Sequence, residues 1–183
     1  MISRRLVLAG AAYAPLAACG ALVPEANAEA YISPPLPPHL SGLGALALTR
    51  PDGTPTTLSA ELSPGPAVIS LWATWCAPCV QEARHLARLR ESYRPDQLNI
   101  VGVNVDRERD EARIAQFLEQ GRVNFAQVRG DAATYAAFGQ GAALLLPRLF
   151  VFDAEGRPVA AFGRYFGGET LRAIDRAVAM VLA

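Results

Sequence analysis

The stretch Leu71-Trp-Ala-Thr-Trp-Cys-Ala-Pro-Cys79 joins an apolar run to a segment of helical spacing, and its reading decides the rest of the chain. On its N-terminal side, Pro64-Gly65-Pro66 breaks the backbone and Ala67-Val-Ile-Ser-Leu-Trp-Ala73 forms a continuous apolar run, as expected for a strand covered on both faces. On its C-terminal side the spacing predicts a helix over 76–93, ended by Pro95, and residues 98–105 read as a second buried strand. The result is a βαβ unit with a C-x-x-C pair at its strand-to-helix junction. Unpaired N–H groups and the positive dipole end of a helix stabilise a thiolate there, so Cys76 is the expected nucleophile. Cys79, one turn further in, is the expected resolving thiol, and Pro78 is compatible with a helix's first turn.

Working outward, residues 109–120 are amphipathic and stop at Gly121, residues 124–128 suit a strand, and residues 131–138 a short helix. Residues 149–152 and 158–162 flank the turn Asp153-Ala-Glu-Gly156 as a hairpin, before a final helix over 169–182. Upstream, residues 43–48 and 56–58 flank Pro51-Asp52-Gly53-Thr54, which predicts an N-terminal β-hairpin. The fold class is α/β, with a central sheet flanked by helices.

Glu82, Leu86, Leu89 and Tyr93 are spaced by four, three and four, which places a carboxylate at the head of an apolar helix face. Three residues beyond Cys79, it is suited to exchange a proton with the resolving thiol if burial raises its pKa; the plainer reading is a solvated or packing Glu. Trp72 on the strand reads as core, and Trp75 beside the first cysteine as part of an apolar contact surface. His39 and His85 both read as solvated. Half of a zinc site is the competing reading of the cysteine pair, but the chain has no second Cys pair, and the two histidines lack the spacing to complete one. No metal and no organic cofactor is expected.

The composition narrows the function classes. Among 183 residues about half are hydrophobic, and 17 basic residues balance 17 acidic ones, so the chain buries a core and carries no electrostatic footprint for nucleic acid. Every basic residue is Arg, which excludes lysine nucleophiles and Schiff bases.

Arg4 and Arg5 precede an apolar run over 6–18, the pattern of an export signal; the run is too short to span a bilayer, for which about 20 residues are needed. Ser3-Arg4-Arg5 before Leu6-Val7-Leu8 resembles the twin-arginine signal type, with Val7 where Phe is commonest. Leu16-Ala17-Ala18-Cys19-Gly20 has the form of a lipoprotein box. It makes 1–18 the signal and Cys19 the lipidated first residue. Ala26-Asn27-Ala28 is an alternative site, with cleavage after 28. Residues 19–40, with Pro24, Pro34, Pro35, Pro37 and Pro38, read as an extended tether, leaving 41–183 as one domain.

With Glu82, the 71–79 stretch resembles the TlpA/ResA/CcmG (DsbE) family of exported, membrane-anchored thiol-disulfide oxidoreductases of the thioredoxin superfamily. The resemblance spans roughly 41–183 and implies a thioredoxin-like fold, with a mixed sheet and an inserted α/β segment. It is supported at a distance by Leu146-Pro147-Arg148-Leu149-Phe150, which resembles the family's cis-proline loop and implies that Pro147 is cis beside Cys76. It implies Cys76, Cys79, Glu82 and Pro147 as catalytic residues, Cys76 and Cys79 as the redox disulfide, and Trp75, Ala77, Pro78 and Leu146 as the contact surface for a partner chain. Arg84 stands where relatives have a helix-kinking proline, and Leu146, Arg148 and Leu149 replace small or hydroxyl residues; Arg148 is a candidate for partner selection. The implied activity is protein-disulfide reduction on the periplasmic side of a bacterial cell envelope. Apocytochrome c or copper-site cysteines are the implied targets, and a membrane thiol reductant the implied electron source. A disulfide oxidase or isomerase, a peroxide reductase and a Cu(I)-binding metallochaperone are the competing readings.

Overall fold

The computed structural model describes residues 34–140, 145–163 and 167–183. Cys19, the export signal, both cleavage sites and most of the tether lie outside the described residues. No described helix is long and apolar enough to cross a membrane.

The chain runs α1 (Leu40–Leu43), β1 (Ala47–Thr49), β2 (Pro55–Thr57), a 3-10 turn (Leu58–Glu61), β3 (Ala67–Trp72), α2 (Ala77–Ser92), β4 (Asn99–Asn104) and α3 (Glu111–Gly121). It continues through β5 (Ala126–Arg129), α4 (Ala132–Ala137), β6 (Arg148–Phe152), β7 (Pro158–Phe162) and α5 (Gly168–Leu182). The strands form one mixed sheet in the order β2-β1-β5-β4-β3-β6-β7. β3 pairs with β4 in parallel and β4 with β5 in parallel; β6 and β7 continue antiparallel on one side, and the β1–β2 hairpin on the other. This is the thioredoxin-like arrangement expected, with α3, β5 and α4 as the inserted segment and the β1–β2 hairpin capping one edge.

All six residues of β3 and all six of β4 are buried, because helices cover both faces of the sheet. Alternation along β3 sends Ile69 and Leu71 to one face, with Tyr135, Phe138, Phe150 and Phe152, and Val68 to the other, with Leu86, Leu89, Leu149, Ile174 and Val178. A third cluster, around Trp72 and Phe117, lies under the α2 N-terminus and contains both cysteines.

Two N-terminal readings change. The strand expected from residue 43 begins at Ala47, because Leu40–Leu43 form a helical turn whose cap, His39, accepts a hydrogen bond from Ser41 N at 3.2 Å. An apolar run of this length fits a strand or a helix end equally, and the cap decides it. The stretch read as a tether packs on the domain from Pro34 onward. Pro34 and Pro37 are buried, Gln140 Nε2 donates to the Pro35 carbonyl at 3.3 Å, and Leu40 N donates to Gly156 O at 2.8 Å. Gly156, at φ 83°, closes the β6–β7 turn that receives this segment.

Candidate active site

β3 ends at Trp72, and the chain turns through Ala73, Thr74 and Trp75 into α2, of which Cys76 is the N-cap residue. Two backbone bonds shape the corner, Cys76 N to Ala73 O and Cys79 N to Cys76 O, each 3.0 Å. Pro78 falls in the first helical turn, where its missing N–H leaves no bond unmade. Asp106, just past β4, holds the corner from below: its Oδ2 accepts from Thr74 N at 3.0 Å and from Asn104 Nδ2 at 2.8 Å.

Cys76 and Cys79 form a disulfide with Cα atoms 5.3 Å apart, and both are buried. Ala77 and Pro78 are exposed beside it, and Trp75 keeps 54% of its surface in solvent. From across the sheet, partly buried Leu146 packs on the cysteine cluster, and the Leu146–Pro147 bond is cis. Leu145, just before it, is held by Tyr135, whose hydroxyl accepts from Leu145 N at 3.0 Å and donates to Leu145 O at 3.2 Å. A groove lined by Thr74, Trp75, Asp106, Arg107, Glu108, Asp110 and Arg113 runs off one side of the corner.

Glu82 lies one helical turn past Cys79 and is 1% exposed. Its Oε1 accepts from Ser70 Oγ at 2.7 Å. Burial pushes its carboxyl up from 4.5 to about 7, while the Ser70 hydrogen bond pulls the other way; burial wins because one hydroxyl replaces only part of the lost hydration. Ser70 also lines, with Cys79, Trp72, Gly102 and Gln127, a narrow void beneath the disulfide. Trp72 is core as expected. It stacks on Phe117 with centroids 3.9 Å apart, and its Nε1 donates to Gln127 Oε1 at 3.0 Å. Gln127 lies so close over β4 that a Cβ at residue 102 would push its amide group aside, away from Trp72.

Two expectations for polar residues are corrected. His85 is buried: its ring belongs to the same α2 face as Glu82, and Nε2 bonds Asp175 Oδ1 of α5 at 2.7 Å. Arg148 faces inward, donating from Nε to Gln140 Oε1 at 3.1 Å, so it offers no guanidinium to a partner. Arg84 ties α2 to the end of α3 through a 2.7 Å bond to Gln120 O. Ser70, Asp106 and Tyr135 were missed in the sequence, although Ser70, a lone hydroxyl in an apolar strand, carried a signal.

The Redoxin family model matches residues 20–172, which is most of the chain. The chain belongs to the Redoxin family. Among curated proteins, this Redoxin chain is 27% identical over 113 residues to the thioredoxin-like protein YneN of Bacillus subtilis (strain 168). The match covers 58% of this chain and 64% of YneN, just under two thirds of the relative's length. A solved secreted disulfide oxidoreductase of Mycobacterium tuberculosis, homologous to E. coli DsbE, superposes with a TM-score of 0.62 at 18% identity, over 76% of this chain and 98% of its own. A thiol:disulfide interchange protein of Chlorobium tepidum TLS gives 0.62 at 22% identity, over 81% and 97%. These likenesses establish the thioredoxin-like fold.

Proposed function

We propose that the protein is an exported, membrane-tethered protein-disulfide reductase. The observation that carries this reading is a redox disulfide at a helix N-terminus with a buried carboxyl, poised near neutrality, one turn beyond the resolving cysteine. In the reduced protein the Cys76 thiolate attacks one sulfur of a partner disulfide, forming a mixed disulfide and expelling the other partner sulfur as a thiolate. Glu82, ionised, takes the proton from Cys79. The Cys79 thiolate then attacks Cys76 Sγ, forming the intramolecular disulfide and releasing the second partner thiolate. Two electrons pass to the partner. A membrane thiol reductant returns them, and no metal or organic cofactor takes part.

Trp75, Ala77, Pro78 and Leu146 supply the apolar contact to the partner, Pro147 flanks it, and the groove beside Trp75 takes the partner chain's polar groups. Cys19 is the lipidated end that holds the domain to the periplasmic side of a bacterial membrane. Cysteine pairs of apocytochrome c or of respiratory copper sites fit this reading, because each must be reduced in an oxidising compartment before its cofactor is attached. The support for export and for these targets is the sequence pattern of residues 1–28 and the family likeness of 71–82.

Equilibration of the full chain against thiol–disulfide buffers tests the direction. A potential nearer ~−270 mV than ~−120 mV is expected for an electron donor. A value at the oxidising end makes the protein a disulfide donor or isomerase. Copper retained stoichiometrically through purification makes it a Cu(I) carrier.

A further inference from the structure

Glu82 is the proposed acceptor of the Cys79 proton, yet the two do not share the void beneath the disulfide. Cys79 and Ser70 line that void, and Glu82 is not among the residues that line it. Ser70 is the side chain common to both: its Oγ donates to Glu82 Oε1 at 2.7 Å, the one hydrogen bond the carboxyl makes among the described residues. The void measures ≈ 10 Å³, at the lower limit for a single water, so at most one water separates the Ser70 hydroxyl from the Cys79 sulfur.

The strand pattern explains this placement. Val68, Ser70 and Trp72 alternate onto the face of β3 beneath α2, where Val68 meets Leu86 and Trp72 joins the cysteine cluster. Gly102, the register partner of Ser70 on β4, brings no side chain to fill the space beside it. Trp72 Nε1 and Gln127 Oε1, also on the void, satisfy one another at 3.0 Å, and neither an indole nor an amide relays a proton near neutrality. A hydroxyl does, because it accepts on a lone pair and gives up its own hydrogen.

No charged neighbour takes over the role. On α2 the titratable groups of the Glu82 face are Cys79 and His85, and His85 is engaged by Asp175 of α5 at 2.7 Å. β3 and β4 bring none, Arg148 of β6 turns to Gln140, and the charged side chains of α3 and the others of α5 are exposed. Burial and the Ser70 hydrogen bond are the two influences on the Glu82 carboxyl.

We infer that the Ser70 hydroxyl carries the proton of Cys79 to Glu82 and holds the carboxylate ready to receive it. The inference rests on the reading of Glu82 as the proton acceptor. In the reduced protein the Cys79 S–H faces Ser70 Oγ while the Ser70 O–H donates to the Glu82 carboxylate. The S–H bond breaks as its proton passes to Ser70 Oγ, and the Ser70 O–H bond breaks as its proton passes to Glu82 Oε1. The products are a Cys79 thiolate, a Ser70 hydroxyl now donating to it, and a neutral Glu82 carboxyl donating to Ser70 Oγ. One proton has moved from sulfur to carboxylate and no electrons have changed hands. A water in the void lengthens the chain without altering that balance.

The test is stopped-flow reaction of the fully reduced full chain with the aromatic disulfide DTNB over a range of pH. Release of the first aromatic thiolate reports attack by Cys76, and release of the second reports resolution by Cys79. In the natural protein the second release inflects near 7, where Glu82 ionises. Ser70→Ala is expected to move that inflection upward by about one pH unit or more, the worth of a hydrogen bond to a charged group, and to slow the second release ~10-fold or more at neutrality. Ser70→Thr, which keeps the hydroxyl, holds the inflection near that of the natural protein. An inflection that stays in place in Ser70→Ala, whatever the rate, overturns the inference. A Ser70→Thr inflection displaced as far as that of Ser70→Ala also overturns it, since the effect is then one of space and not of the hydroxyl. Glu82→Gln separates the two claims. Loss of the inflection there, with none of the Ser70→Ala shift, removes Ser70 and leaves the carboxyl in its role; an inflection retained in Glu82→Gln removes the carboxyl itself.

Discussion

Cys79→Ser arrests the protein on its partner. The reduced variant keeps the Cys76 nucleophile, so it attacks a partner disulfide, but nothing resolves the product and a mixed disulfide accumulates, visible as one covalent adduct per chain on a non-reducing gel. Cys76→Ser forms no adduct and has no exchange activity, because Cys76 caps α2 between the exposed Trp75 and Ala77, whereas Cys79 lies inside the first helical turn, one turn further from the corner that a partner sulfur must approach. The asymmetry is the informative result. If Cys76→Ser traps partner as readily as Cys79→Ser does, the assignment of nucleophile and resolver is wrong.

Glu82→Gln produces the second large effect, and it has two independent readouts. The first is rate. Exchange by the natural protein rises with pH as Glu82 ionises around 7 and gains the ability to accept the Cys79 proton. The glutamine variant loses that inflection and is slower by ~10²-fold above neutrality. The second readout is stability of the disulfide form. Below about pH 4.5 the carboxyl is protonated in both the folded and the unfolded chain, so it costs nothing. As pH rises from there to about 7, the unfolded chain releases the proton and the folded chain retains it, so the native state loses stability with pH. A shift from 4.5 to about 7 corresponds to on the order of 3 kcal/mol, fully expressed above neutrality. Denaturant melts at pH 4 and pH 8 will show Glu82→Gln gaining that much on the natural protein between the two. An equal difference at both pH values contradicts a buried, neutral-poised carboxyl.

The parts of the molecule that were legible in the sequence are those whose signal is local. The cysteine pair, the strand before it and the helix after it are set by residues within a few positions of one another, and that strand and helix fall within a residue of their expected bounds. Glu82 was legible because helical periodicity alone puts it at the head of an apolar face. His85 was misread for want of the same reasoning carried one step further: it lies three residues beyond Glu82 on that face, and its partner, Asp175, is ninety residues away in the chain. Asp106 and Thr74 are 32 residues apart, and only the parallel pairing of β3 and β4 brings them together. The proline-rich segment misled for a different reason. Its composition does specify extended backbone, but whether an extended chain stands off or docks depends on the β6–β7 turn and Gln140, which no local pattern announces.

In the proposed reaction electrons leave the protein for a partner disulfide through the cysteine pair at the head of α2. The most direct measurement mixes the fully reduced chain with a model protein disulfide such as insulin and counts thiols on both molecules as the reaction proceeds. Two partner thiols are expected to appear for every chain oxidised, with the Cys76–Cys79 disulfide as the only new bond in this protein at the end. Partner thiols that stay constant, or an oxidised chain that instead consumes the thiols of reduced insulin and accumulates in its dithiol form, would contradict it.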